Sequence, residues 1–267
     1  MEWLRRNAAP LSDKVWKEVD DIALSMFKQT VVSRRIVDFD GPRGWDHVAA
    51  QLGTFKAAQP VKPIGKIRAS LPDVMLLTEL RADFAIAWAD IDIFERVGPR
   101  LESKAIEEAA RDMALAEDAL VFYGTSTNPG LLSSKETPRL TISDWSQPGR
   151  LVADLLTAVE KLDTLGIKGP YEAVLAPHHY YSYLRQTGEG GVYPAAKQLG
   201  IVIAKVYSSP AIDGAALFST RGGDFMITVG GDFTVGYRAH DDKSVHLFCV
   251  ETAAARVLTP EAVCRIG

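Results

Sequence analysis

Apolar residues recur at helical spacing soon after the start of the chain. Val15, Trp16, Val19, Ile22, Ala23, Met26 and Phe27 share one face, and Lys14, Lys17, Glu18, Asp21 and Lys28 take the other. Ser12 stands where the cap of a helix beginning at Asp13 belongs. That apolar face packs on its own domain or meets another chain. "RRIVDFDGPRGW" then reads as a short strand ended by Gly41-Pro42. From Asp46 to Pro72 the periodicity is lost, and "QLGTFKAAQPVKPIGKIRASLP" mixes prolines, basic residues and alternating patches. So long a stretch without a helix is a functional loop or a β-hairpin arm. "VMLLTELRADFAIAWADIDIFER" reads as strand and then a turn into a short helix.

The longest helical pattern follows Ser103, its expected cap. Ile106, Ala109, Ala110, Met113, Ala114 and Leu120 give it a face of mostly small residues. Glu107 and Arg111 are spaced to pair, and Gly124 ends the helix. A further helix spans about Gly149 to Leu165, with Leu151, Val152, Leu155, Leu156, Val159 and Leu162 on one face. "YEAVLA" is a strand, Pro177 suits the first position of a short helix, "GEGGVYP" is an exposed loop, and "GIVIAKVY" is a strand. From Ala215 onward, "AALFST", "DFMITVG", "FTVGYRA", "SVHLFCVET" and "ARVLT" read as consecutive strands before a last short piece. The fold class is α+β, with helices early and an antiparallel meander late.

Composition narrows the function. The 267 residues are 47% hydrophobic, enough for a substantial core, and carry a net charge of -4. A mildly acidic chain is poorly suited to wrapping nucleic acid. The two cysteines, Cys249 and Cys264, form no paired motif, which points to a reducing compartment without disulfides or structural zinc. No signal peptide or membrane span is visible, so the expectation is a cytoplasmic protein that engages no membrane.

No motif reads as catalytic. Gly-Gly-Asp-Phe occurs at Gly222–Phe225 and again at Gly230–Phe233. Each copy precedes an alternating run, and the expectation is hairpin turns with glycines at positive φ. A P-loop would need Gly-Lys-Ser/Thr entering a helix, which is absent. His178 and His179 diverge by about 100° on a helix and cannot easily share a metal. His240 and His246 flank a turn beside Asp241 and Asp242, where a metal competes with ordinary solvated side chains. Asp90, Asp92 and Glu95 read as a solvated turn with a helix cap. No catalytic residue, metal site or resident cofactor is expected.

Several blocks, in order, carry a resemblance. They are "APLSDKVWKEVDDIALSMFKQTVVSRRIVDFDGPRGW", "ADIDIFER", "EEAARDMALAEDALVFYG", "GIKGPYEAVLAP", "AIDGAALFSTRGGDF" and "FTVGYRAHDDKSVHLFCVETAAARVLTPEA". In them the chain resembles the encapsulins, the linocin-like shell proteins of bacteria and archaea, over essentially its whole length. The resemblance implies a Hong Kong 97 phage-like capsid fold. It assigns residues 1–45 to an N-terminal helix and first strand on the interior wall, and 46–80 to an extended loop overlapping neighbours. Residues 81–139 with 216–267 become a peripheral domain with its spine helix, and 140–215 an axial domain. It also implies a cytoplasmic nanocompartment of sixty copies or a multiple. Its cargo, such as a dye-decolorising peroxidase or a ferritin-like protein, would enter through a C-terminal targeting peptide. The peptide groove falls on Phe27, Arg34, Ile36, Asp38, Asp232, Phe233, Val235 and Tyr237. Arg34, Ile36 and Asp38 are expected on one strand. Asp38 and Asp232 would hold a basic peptide residue, and Arg34 an acidic one or a terminal carboxylate. Gly188, Glu189, Gly190 and Gly191 would line a five-fold pore, where a ring of glutamates would favour cations. Ala253, Ala254 and Ala255 are smaller than the family's usual residues there. Trp88 sits about one place from a tryptophan near which some members bind flavin, so a flavin stays open. The rival reading is a phage-type major capsid protein that packages DNA.

Overall fold

The computed structural model describes residues 2–58, 65, 67–147, 149–185, 197 and 199–267. Helix α1 (Asp13–Thr30) starts at Ser12, whose hydroxyl accepts from the Val15 N–H. Its apolar stripe is buried, and a 3-10 turn at Ser33–Arg35 leads to strand β1 (Asp38–Asp40). Arg34 therefore lies in the turn and Asp38 in the strand, so the single strand expected for both does not form. Strands β2 (Ala49–Ala58) and β3 (Ala69–Leu76) pair antiparallel as a separate two-stranded ribbon. The unpatterned stretch is thus a hairpin arm. Its alternation is weak because, beyond buried Ala50 and Met75 at its base, little of either face rests on a core, and Phe55, Ile67, Leu71 and Leu76 stand exposed.

Strand β4 (Thr78–Ala87) runs into helix α2 (Trp88–Arg96), and the spine helix α3 (Lys104–Tyr123) follows. Ser103 does not cap α3 by accepting a backbone bond. Its hydroxyl donates to Glu107 Oε1 at 2.6 Å. Glu107 is drawn toward Ser103 and Arg100, 3.6 Å away, and not into the expected pair with Arg111. Gly124 ends the helix at φ 74°, where a Cβ would strike the carbonyl of Asn128. Then come β5 (Arg139–Leu140), α4 (Arg150–Thr164), β6 (Tyr171–Leu175), α5 (Pro177–Arg185) and β7 (Ile203–Ser208). The chain continues as β8 (Ala215–Ser219), β9 (Phe225–Val229), β10 (Thr234–His240), β11 (Ser244–Val257) and β12 (Val263–Ile266).

The late strands are not one meander. One sheet has the order β1-β9-β11-β10, with β4 on the opposite edge of β11, and the other runs β5-β12-β8-β6-β7. Strands β8 and β12 therefore pair within the sheet that holds β6 and β7. "ARVLT" is no separate strand, because β11 continues through Val257 to pair with β9. The second Gly-Gly-Asp-Phe is no hairpin turn either. β9 and β10 run in the same direction along one edge of β11, and Gly230 and Gly231 bridge them by bonding around Thr252. Gly222 and Gly223 do adopt positive φ, 84° and 81°, between β8 and β9. Gly231 serves packing instead, since a Cβ there would lie 2.2 Å from ring atoms of Trp45.

Two apolar cores result. One joins α1, α2 and the first half of α3 to β4, β10 and β11. The other surrounds α4 and the second sheet and reaches β9 and the end of β11.

Candidate functional site

The two cores leave a seam where the end of α1 meets the link between β9 and β10. Phe27, on the last turns of α1, is 1% exposed. Its ring stacks on Phe233 with centroids 4.3 Å apart and planes 17° from parallel. The Arg34 guanidinium sits 5.0 Å from the Phe27 centroid and 5.1 Å from that of Phe39. Around this stack lies a cleft of about 240 Å³, lined also by Leu24, Lys28, Val31, Arg35 and Asp232. Leu24 is 41% exposed, so the cleft offers apolar surface to solvent beside two basic side chains. Arg35 turns its guanidinium back onto the Lys28 carbonyl at 3.1 Å, closing the end of α1.

Beneath the cleft is a buried charge cluster. Arg34 Nε donates to both Glu117 oxygens at 2.9 and 2.8 Å. Its Nη2 reaches Glu117 Oε2 at 2.6 Å, Asp232 Oδ1 at 2.9 Å and Glu251 Oε1 at 3.1 Å. Burial opposes the Arg34 charge, but bonding to Glu117 and the fields of Glu251 and Asp232 outweigh it and raise the pKa. Burial pushes the Glu251 carboxyl well up, and neighbouring Glu117 adds to this against Arg34. The next residue on α3, Asp118, holds the same turn from the other side. It accepts from the N–H groups of Val32 (3.0 Å) and Ser33 (2.7 Å) and from the Ser209 hydroxyl (3.0 Å). Burial lifts its carboxyl to about 6, although those bonds pull the other way.

The expected groove residues divide among several surroundings. Phe27, Arg34, Asp232 and Phe233 meet at the cleft. Val235 and Tyr237 are buried in the core beneath α1, with the Tyr237 hydroxyl 2.5 Å from His240 Nδ1. Ile36 is buried in the other core. Asp38 accepts from the Gly223 N–H at 2.6 Å and borders a second cleft, of about 130 Å³, which shares Arg35 with the first. Asp38 and Asp232 thus line different clefts. Gly188, Glu189, Gly190 and Gly191 lie outside the described residues. Sequence reasoning passed over Leu24, Lys28, Val31 and Arg35, and over the two glutamates below them. A signal for the glutamates existed. Glu117 continues the spacing of Ile106, Ala110 and Met113, and Glu251 continues the alternation of Val245, Leu247 and Cys249, so both acids occupy core positions.

Other candidate chemistry is local. Among the described residues no group of three or more His, Cys, Asp or Glu is placed to hold a metal ion. His179 meets Trp145 edge-on, and His246 pairs with Asp241 within one turn. The Trp88 indole N–H donates to the Asp241 carbonyl, and neither cleft described above includes Trp88. No helix among the described residues is long and apolar enough to cross a membrane.

Comparison with known proteins gives this arrangement its context. The family model described as "Encapsulating protein for peroxidase" matches residues 1–254. A type 1 encapsulin shell protein of Rhodospirillum rubrum is 35% identical, over 98% of this chain and 95% of that protein. The virus-like particle of Pyrococcus furiosus superposes with a TM-score of 0.71 at 14% identity, over 94% of this chain and 98% of the other. The capsid of Myoviridae phage XM1 gives 0.60 at 11% identity, over 86% and 89%. The fold is therefore that of phage-type capsid proteins. The chain is a structural subunit and not an enzyme, and it belongs to the encapsulin family of icosahedral shell-forming proteins.

Proposed function

We propose that this subunit builds a closed cytoplasmic compartment of sixty copies or a multiple and retains a cargo enzyme by docking its C-terminal peptide in the Phe27–Phe233 cleft. The carrying observation is the apolar lining of that cleft, where exposed Leu24 and half-buried Phe233 lie over the buried Phe27 ring beside Lys28 and Arg35. An extended peptide would bury a few aliphatic side chains there, each contributing about 1.5–3 kcal/mol. Arg34 is already neutralised from below, so Lys28 and Arg35 are the cations left to meet acidic groups of the peptide. The family description supports a peroxidase as cargo; a ferritin-like protein is the other class. The exposed apolar residues of the β2–β3 arm support its overlap with neighbouring subunits.

The test uses Leu24→Asp and Phe233→Ala. Assembly is scored by electron microscopy, and cargo by mass spectrometry of the protein that co-purifies with shells. Intact shells with depleted cargo are expected. Intact shells of both variants that carry cargo at the wild-type level would refute the docking assignment.

A further inference from the structure

Arg34 carries one positive charge and touches three carboxylates. The side chains of Glu117 and Glu251 are wholly buried, whereas that of Asp232 is 40% exposed. Glu117 comes from the spine helix and Glu251 from β11, and both meet the same Arg34 nitrogen, Nη2, at 2.6 and 3.1 Å. Glu251 Oε2 is buried without a hydrogen-bond partner. An ionised carboxylate only accepts, so two of them cannot bond without a proton. One guanidinium balances one buried carboxylate, and a second ionised one would be an uncompensated buried charge. We propose that Glu117 and Glu251 hold one proton between them in the folded subunit, and that this proton keeps Arg34 available to Asp232 at the rim of the cleft.

Among the described residues Arg34 is the cation that pairs with Glu117 and Glu251, while Lys28 and Arg35 line the cleft above. From the 3-10 turn comes Arg34, and Ser33 gives its hydroxyl to Glu117 Oε1 at 3.2 Å. From the β9–β10 link comes Asp232, a further negative charge. On α3 the adjacent Asp118 turns to Val32, Ser33 and Ser209. On β4, Leu80 stands opposite Glu251, while Glu79 and Arg81 pair with Thr252 and Val250 and so share the other face of the sheet. From α1 come the Phe27 ring and, in the cleft that Asp232 also lines, Lys28. When the shared proton leaves, the buried site holds two negative charges against one positive. Glu117 and Glu251 cannot hydrate, but Asp232 can. Arg34 is then drawn into the buried pair, and Asp232 turns to solvent. Phe233, the next residue, loses an anchor for its stack on Phe27. If the cleft is the cargo seat, a reading on which only this consequence rests, rising pH loosens that seat from below.

Infrared difference spectra of assembled shells test the proton directly. Wild type minus Glu251→Gln at neutral pH should show a protonated carboxyl carbonyl band that disappears as pH rises. Wild type minus Glu117→Gln should show the same band, which keeps the test available if one variant fails to assemble. Absence of the band overturns the proposal. In wild-type shells, amide exchange at Asp232–Phe233, corrected for intrinsic rate, should rise about tenfold over the pH range in which the carboxyl band disappears. An unchanged corrected rate overturns the link to the rim. Neither measurement needs cargo, so their failure leaves the docking reading intact, and failed docking with an intact band counts against docking alone.

Discussion

Replacing Asp118 by alanine probes the clasp between the spine helix and the turn that follows α1. Three donors converge on this carboxylate: the N–H groups of Val32 and Ser33 and the hydroxyl of Ser209. All three residues are buried. The serine hydroxyl can rotate toward another acceptor, but the two amides cannot. Each orphaned buried amide costs about 1–3 kcal/mol, so Asp118→Ala should lose about 2–6 kcal/mol. For a chain near this size that lowers the melting temperature by on the order of 10 °C. Asp118→Asn keeps the shape and one acceptor and should lose far less. The pH dependence has a definite sign. The folded carboxyl titrates at about 6 against an ordinary 3.8, so the folded chain binds the proton more tightly than the unfolded one. The contribution of Asp118 is therefore fully present below about pH 4 and declines as pH rises through about 6. The gap between wild type and Asp118→Ala should accordingly widen as pH falls across that window. Scanning fluorimetry of assembled shells, with light scattering for the assembled fraction, provides the measurement. Alanine shells that form in normal yield and melt within about 2 °C of wild type would contradict the reasoning.

The two glycine pairs should respond differently. Gly231→Ala drives a methyl group into the Trp45 ring and should cost about 1–3 kcal/mol as overpacking. Gly223→Ala meets nothing within 4 Å and bears only the strain of its positive φ, about 1–2 kcal/mol. A larger loss at Gly223 in thermal melts would reverse this assignment of roles. On the hairpin arm, Phe55→Asp with Leu71→Asp should leave the subunit helical by circular dichroism and abolish shells in sedimentation velocity, because both side chains are exposed in the single subunit (72% and 61%). Normal shells from that double variant would exclude the arm from the subunit interface.

Local pattern carried much of the fold. Where a helix rests one stripe on a core, as α1 and α4 do, spacing and caps located it closely. The strands were found individually, but their partnership was not legible. β8 and β9 are separated by a five-residue link yet belong to different sheets, and nothing in either sequence states which edge it will meet. Thr252 shows the same limit, since its bonds to Gly230 and Gly231 turn an apparent hairpin signal into a break along one edge. At the site, family resemblance named Phe27, Arg34, Asp232 and Phe233 together, but the stack of Phe27 on Phe233 is seen only in the structure. The resemblance did not separate Asp38 from Asp232, because the turn at Ser33–Arg35 redirects the chain between the two clefts. Glu117 and Glu251 were visible only as acids at core positions, a conflict whose meaning appears once Arg34 is placed between them.

The exposed arm also bears on how shells accumulate. Val48, Phe55, Ile67, Leu71, Val74 and Leu76 show solvent more apolar surface than a small ribbon needs for itself. If each contact with a neighbour contributes a few kcal/mol, one contact holds two subunits only weakly, whereas a closed surface satisfies every arm at once. Partial assemblies then sit above both the free subunit and the finished shell in free energy. The population should behave as a threshold phenomenon. Below a critical subunit concentration almost nothing assembles, and above it added protein goes into complete particles while the free pool stays nearly constant.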